Sequence, residues 1–249
     1  MHKAHGLMEA DLEFLRGYVH GPLESITSLK LEDENIAGKV RFLLRRKEVF
    51  DDLVRPPVDK AYLEEKKLRV VRVSPYLYSL AVVQEAFPKA GIEDDDMIMY
   101  AADMLSRFSC QEKEYRFLPR RERDLGTLGD MVNLVQEKCG KDGTKEDAFR
   151  AYVHLGELAL FLAGVFAEHV RHSGKLRPMP ADAYEKIGST CYFRAHVLSK
   201  EVEPIFIRMS FEEEFIQTAQ ALNFATRKYI GIDPFVQSLR REMGSRMWH

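Results

Sequence analysis

GELALFLAGVFAEHVRH, residues 156–172, is apolar at almost every position, yet it carries Glu157 near its start and Glu168, His169 and His172 near its end. A helix that is apolar all round belongs at the centre of its domain. The residues before it supply a start signal. Thr144 opens TKED, a capping-box pattern in which a hydroxyl and an acid three residues on satisfy the first free amides. The helix is expected to run from Thr144 to about Arg171, with Gly174 as its stop. The rest of the chain then becomes its packing shell.

Helical spacing dominates outward from there. Residues 8–19 set Leu12, Leu15 and Val19 three and four apart, and residues 34–53 do the same with Ile36, Val40, Leu43, Leu44 and Phe50. RPP at 55–57 ends that second helix, because proline drives its predecessor out of helical geometry. A short helix through DKAYLEEKK follows, and LRVVRV (68–73) is the one stretch with strand character. Ser74 caps a helix with Pro75 at its first position. That helix stops near Pro88. EDDDMIMYAADMLSRF places its acids in the first turn, where they suit the helix dipole. Beyond a polar connector at 119–129, helices are expected at 130–138 and from 181 to about 201. Another runs from a second capping box at Ser210 to about Tyr229, and a last begins at Pro234. The expected fold is all-α, with about nine or ten helices packed around the central apolar helix 144–171. It is read as a single helical domain over 1–249, in which any subdomain seam falls near the glycine break at 140–144.

Lys plus Arg number 37 against 39 Asp plus Glu, a net charge of −2. That balance argues against a surface dedicated to nucleic acid but leaves room for a local basic patch. No apolar run is read as reaching the ~18–20 residues of a membrane span, and the first residues lack a signal-peptide core, so no membrane partner is expected. Cys110, Cys139 and Cys191 are far apart and form no CxxC pair. They read as reduced thiols of a cytoplasmic protein. No phosphate loop, dinucleotide fingerprint, HExxH or GxSxG occurs, so no cofactor is assigned.

Ionisable groups inside an apolar helix are the places where chemistry would sit. At ~100° per residue, His154, Glu157, Glu168 and His172 share one stripe about 60° wide. A lone buried carboxylate costs several kcal/mol, so Glu157 needs a partner, a proton or a metal. Carboxylate–histidine pairs one turn apart are parts of di-iron bundle sites. Here the two pairs lie ~16 Å apart along the helix, too far to ligate one dinuclear centre. Glu185, His196, Glu201 and Glu203 follow in the chain, but no second Glu-x-x-His appears. No metal set is therefore assigned. The simpler reading pairs Glu157 with an arginine, tyrosine or backbone group, and Glu168 with His172. Arg120, Arg121 and Arg123 form a weak anion-binding candidate, since Glu122 and Asp124 interleave with them. The C-terminal SLRREMGSRMWH, with Trp248, reads as a docking or trailing segment rather than a contact to nucleic acid or membrane.

Four stretches are familiar: VSPYLYSLAVVQEAF with YAADMLSRF, and HLGELALFLAGVFAEHV followed by YEKIGSTCYFRA. They resemble an uncharacterised group of bacterial all-helical proteins with no assigned activity. The resemblance implies a helical fold and a bacterial cytoplasmic origin, and implies no mechanism. Two functional readings follow. The first is a non-catalytic interaction or structural/regulatory protein that binds an unknown protein partner or itself. The second is a small-molecule or metal-dependent enzyme with its site beside His154/Glu157 and Glu168/His172.

Overall fold

The computed structural model describes residues 6–19, 29–31, 35–54, 73–110, 135, 144–167, 181–199 and 203–230. Among them are nine α-helices and no strand. The all-α expectation holds, and one long apolar helix lies mostly buried in the core. The strand-like LRVVRV lies outside the described residues except for Val73. So do the glycine seam at 140–143 and the helix expected from Pro234. The chain divides into two compact units, 1–88 with 93–110, and 89–92 with 111–249.

The first unit contains α1 (Glu9–Arg16), α2 (Ile36–Leu44), α3 (Lys47–Val54), α4 (Pro75–Ala86) and α5 (Asp95–Cys110). Ser74 Oγ accepts the Leu77 amide at 3.0 Å and Pro75 takes the first helical position, so α4 starts where the sequence places it. Leu77, Leu80, Val82, Val83 and Ala86 are at most 2% exposed, so α4 is buried nearly all round and centres this unit. Asp11, itself fully buried, accepts the Met8 amide at 2.7 Å and the Ser74 amide at 2.6 Å. The continuous helix expected over 34–53 is instead two helices, α2 and α3, separated at Arg45 and Arg46. Arg46 Nη1 donates to the Tyr18 carbonyl at 2.6 Å. Breaking there lets Val40, Leu43 and Val49 all turn inward; each is 0% exposed.

The second unit contains α6 (Lys145–Val165), α7 (Ala181–Leu198), α8 (Pro204–Ser210) and α9 (Glu212–Ala225), with a π-helical turn at Thr226–Ile230. The Asp147 amide donates to Thr144 Oγ1 at 3.1 Å and the Thr144 amide donates to Asp147 Oδ2 at 3.3 Å, which is the capping box of TKED. By length and composition α6 would cross a bilayer, contrary to the sequence reading, yet its apolar window is 72% buried by the protein. It is a core helix, covered by α7 and α9.

Helix α6 ends at Val165 rather than near Arg171: Phe166 leaves helical geometry at φ −105°, ψ 19°. Its ring packs edge-on against Phe161, centroids 5.4 Å apart. Two glycines permit the close crossings. A Cβ on Gly164 would stand 2.7 Å from Leu222 Cβ, and one on Gly188 would stand 2.2 Å from the Phe215 ring. Ser210 does not cap α9. It is the last residue of α8, and its hydroxyl donates to the Ile207 carbonyl at 2.6 Å, so Phe211 takes the cap position without a side-chain bond.

Candidate functional site

Glu157 sits in the middle of α6 and is 1% exposed. Leu155, Leu158, Leu160, Phe161 and Leu162 around it are all buried, so the backbone leaves its carboxylate no path to solvent. Glu157 is engaged by its surroundings, as is His154 one turn earlier, although His154 Nδ1 has no hydrogen-bond partner among the described residues. His154 is half-buried. Both residues lie on α6, three positions apart. Glu168 and His172, the other half of the expected stripe, lie outside the described residues, as do Arg120, Arg121 and Arg123. The break at Phe166 removes the assumption that residues beyond it continue the same helical phase.

Among the described residues no three His, Cys, Asp or Glu side chains come close enough to hold a metal ion. His196 is half-buried on α7, with Nδ1 shielded and without a hydrogen-bond partner among those residues. Cys191, also on α7, is buried with a free thiol. Burial pushes its pKa from 9.0 up to about 12, so it is neutral and a poor nucleophile at ordinary pH.

A cleft of about 240 Å³ opens among α6, α7 and α9. Ala163, Ala219 and Ile216 give it an apolar floor, and Glu185, Gln220 and Asn223 give it polar walls. Asn223 Nδ2 donates to the Gly164 carbonyl at 3.1 Å, which fixes its amide and turns Oδ1 to the other side. Glu157 does not line this cleft.

The first unit has its own buried charge. Arg41 is 6% exposed and pairs with Asp95, a contact made by both guanidinium Nη atoms. The Arg41 hydrogen bond is the main reason the Asp95 carboxyl titrates below its ordinary value of 3.8. Gln84 Nε2 donates to the Arg41 carbonyl at 2.8 Å. Arg41 Nε and Gln84 Oε1 remain buried without partners among the described residues. This pair is absent from the sequence reading. The signal for it was an arginine inside the otherwise apolar run Val40–Leu44 of α2.

Sequence reasoning also missed the outer face of α7. Phe193 is 51% exposed and Val197 is 62% exposed, one turn apart on a helix whose opposite face carries the buried Tyr184, Cys191, Tyr192 and Ala195. Apolar periodicity alone assigns such residues to the core. No family model, no curated protein and no solved structure matches the chain.

Proposed function

We propose that this chain acts by binding rather than by catalysis, associating with a second copy of itself through the outer face of α7. The observation that carries the reading is the exposed pair Phe193 and Val197, at 51% and 62%. Residues one turn apart on a helix present one continuous surface. A phenyl ring and an isopropyl group held in water on a rigid helix gain free energy when covered, at about 25 cal/mol per Å². The state of Glu157 supports the same reading, since a carboxylate 1% exposed offers no surface to a substrate. The free, buried Cys191 is consistent with a reducing cytoplasm, and the resemblance, which spans roughly residues 70–200, supports a bacterial source.

Light scattering coupled to gel filtration over a concentration series tests the reading. The native chain is expected to gain mass toward a dimer as concentration rises, and the doubly substituted Phe193→Ser, Val197→Ser chain is expected to stay monomeric. A native chain that stays monomeric throughout, or a variant that dimerises equally well, would remove the proposal.

A further inference from the structure

Small side chains line the meeting of α6 and α9. At Gly164 the two helices touch closely, since a Cβ there would stand 2.7 Å from Leu222 Cβ. Next to that contact come methyl groups: Ala163 on α6, Ala167 just past its end, and Ala219 on α9. Methyls are too short to close the space beside the crossing, and the cleft of about 240 Å³ is what remains. Four of its lining residues, Ile216, Ala219, Gln220 and Asn223, fall at spacings of three, one and three along α9. Residues three and four apart share one helical face, so a single face of α9 supplies both apolar surface and two carboxamides.

The size and the polar atoms of this cleft limit what it can hold. A cavity of about 150 Å³ takes a benzene ring. Scaled from there, about 240 Å³ admits roughly ten non-hydrogen atoms, a single ring with its substituents. The Asn223 amide is fixed, because Nδ2 donates to the Gly164 carbonyl at 3.1 Å. A carbonyl can only accept, so the amide orientation is settled and Oδ1 is the atom left to offer. Among the described residues Oδ1 accepts no hydrogen bond. Gln220 is exposed, and its amide makes no hydrogen bond among those residues, so it is able to donate through Nε2. Glu185 is already engaged by its own surroundings and is not asked for a contact. No Lys or Arg lines the cleft among the described residues, so an anionic ligand meets no counter-charge there. A wholly apolar ligand would desolvate the Asn223 oxygen without replacing its hydrogen bond to water.

We propose that this cleft binds a small neutral planar heterocycle that carries an N–H donor beside a carbonyl, as a free pyrimidine base does. The ring lies on the methyls of Ala163 and Ala219 and on Ile216. Its N–H donates to Asn223 Oδ1, and its carbonyl accepts from Gln220 Nε2. One amide is fixed and the other is adjustable, so the pair reads a donor next to an acceptor without any charge. Pockets of this kind, apolar with a few placed polar groups, are the usual form of a small-molecule site. The ligand is small, so the affinity is modest, with Kd about 1 mM.

The experiment is saturation-transfer nuclear magnetic resonance of the full chain with uracil, and with 1,3-dimethyluracil, which keeps the ring and carbonyls but has no N–H. Uracil is expected to bind with the affinity above, and the dimethylated ring at least about fivefold more weakly, the loss of one hydrogen bond. Gln220→Ala is expected to weaken uracil by a factor of about five as well. Ala163→Leu fills the floor of the cleft and is expected to remove binding. Circular dichroism checks that each variant keeps its helicity. Should Ala163→Leu unfold, Gln220→Ala at an exposed position carries the decision. No transfer to uracil at ten times the expected Kd overturns the proposal. So does equal binding of the dimethylated ring, or a folded variant that binds uracil as the native chain does. Neither Phe193 nor Val197 lines the cleft, so the result stands or falls independently of self-association.

Discussion

Replacing Gly188 by alanine probes how tightly α6, α7 and α9 cross. On propensity alone the change is favourable by about 1 kcal/mol, since glycine is the poorer residue inside a helix. The packing opposes it. The new methyl would stand 2.2 and 2.3 Å from two atoms of the Phe215 ring and 3.1 Å from Ala159 Cβ. Phe215 and Ala159 are both 0% exposed, so neither can retreat into solvent. Overpacking a closed core costs about 1–3 kcal/mol, and a contact this short belongs at the upper end. The net expectation is a loss of about 2 kcal/mol, or roughly 4–8 °C in Tm at this chain length. Thermal and urea unfolding followed by circular dichroism measure it. Shortening the opposing side chain with Phe215→Leu removes the clashing atoms. The double variant should therefore be less destabilised than the two single changes added, with a coupling of about 1 kcal/mol or more. A Gly188→Ala protein as stable as the native chain, or strictly additive with Phe215→Leu, would refute the described crossing.

Ser74→Ala removes the cap on α4 and should cost about 1 kcal/mol in denaturant unfolding, whereas Ser210→Ala, which removes no cap, should leave α9 intact by hydrogen exchange. Glu157→Gln should destabilise the protein by between about 1 kcal/mol, for a hydrogen-bonded neutral acid, and about 3–5 kcal/mol, for an ion pair that strands its cation; unchanged melting would show that the carboxylate is not engaged. The Asp95 carboxyl titrates low, so its stabilising effect is present above pH 3.8 and is lost as pH falls through the lowered value; Asp95→Asn should flatten that acid limb in a stability–pH profile. The Cys191 thiol and Tyr76 hydroxyl, each raised to about 12, act in the opposite direction: their contribution is complete below the ordinary values of 9.0 and 10.0 and is lost as pH rises toward 12. Peptide mapping after alkylation at mild pH should accordingly find Cys191 unmodified in the native protein and modified only in denaturant.

What was legible in the sequence was local. Thr144 with Asp147, and Ser74 with Pro75, are start signals whose bonds close within three residues, and both helices begin where those signals fall. What was not legible depended on partners far along the chain. The break at Arg45–Arg46 is stabilised by the Tyr18 carbonyl, and nothing near residue 46 announces it. Ser210 followed by acids mimics a cap, but the preceding helix α8 claims that serine first. Pro204 at the first position of α8 was a usable signal that the sequence reading passed over. The burial of Glu157 follows from its apolar neighbours, while the identity of its surroundings does not. The exposure of Phe193 and Val197, and the meeting of Lys89 with Tyr229 across the chain, are tertiary facts with no periodicity to betray them.

The buried carboxylate of Asp11 bears on the order in which the chain matures. It accepts the Ser74 amide, 63 residues downstream, at 2.6 Å. A helix of 8 residues is too short to persist in water by itself. During synthesis α1 therefore leaves the ribosome early but gains its anchor only after residue 74 has emerged, and closing so long a loop carries an entropic cost. Helix α1 is made before its anchor and settles only after it. Until then Leu12 and Leu15, both 0% exposed in the finished fold, stand in water. A chaperone that reads nascent apolar surface would find Leu12 and Leu15 of α1 available over that interval.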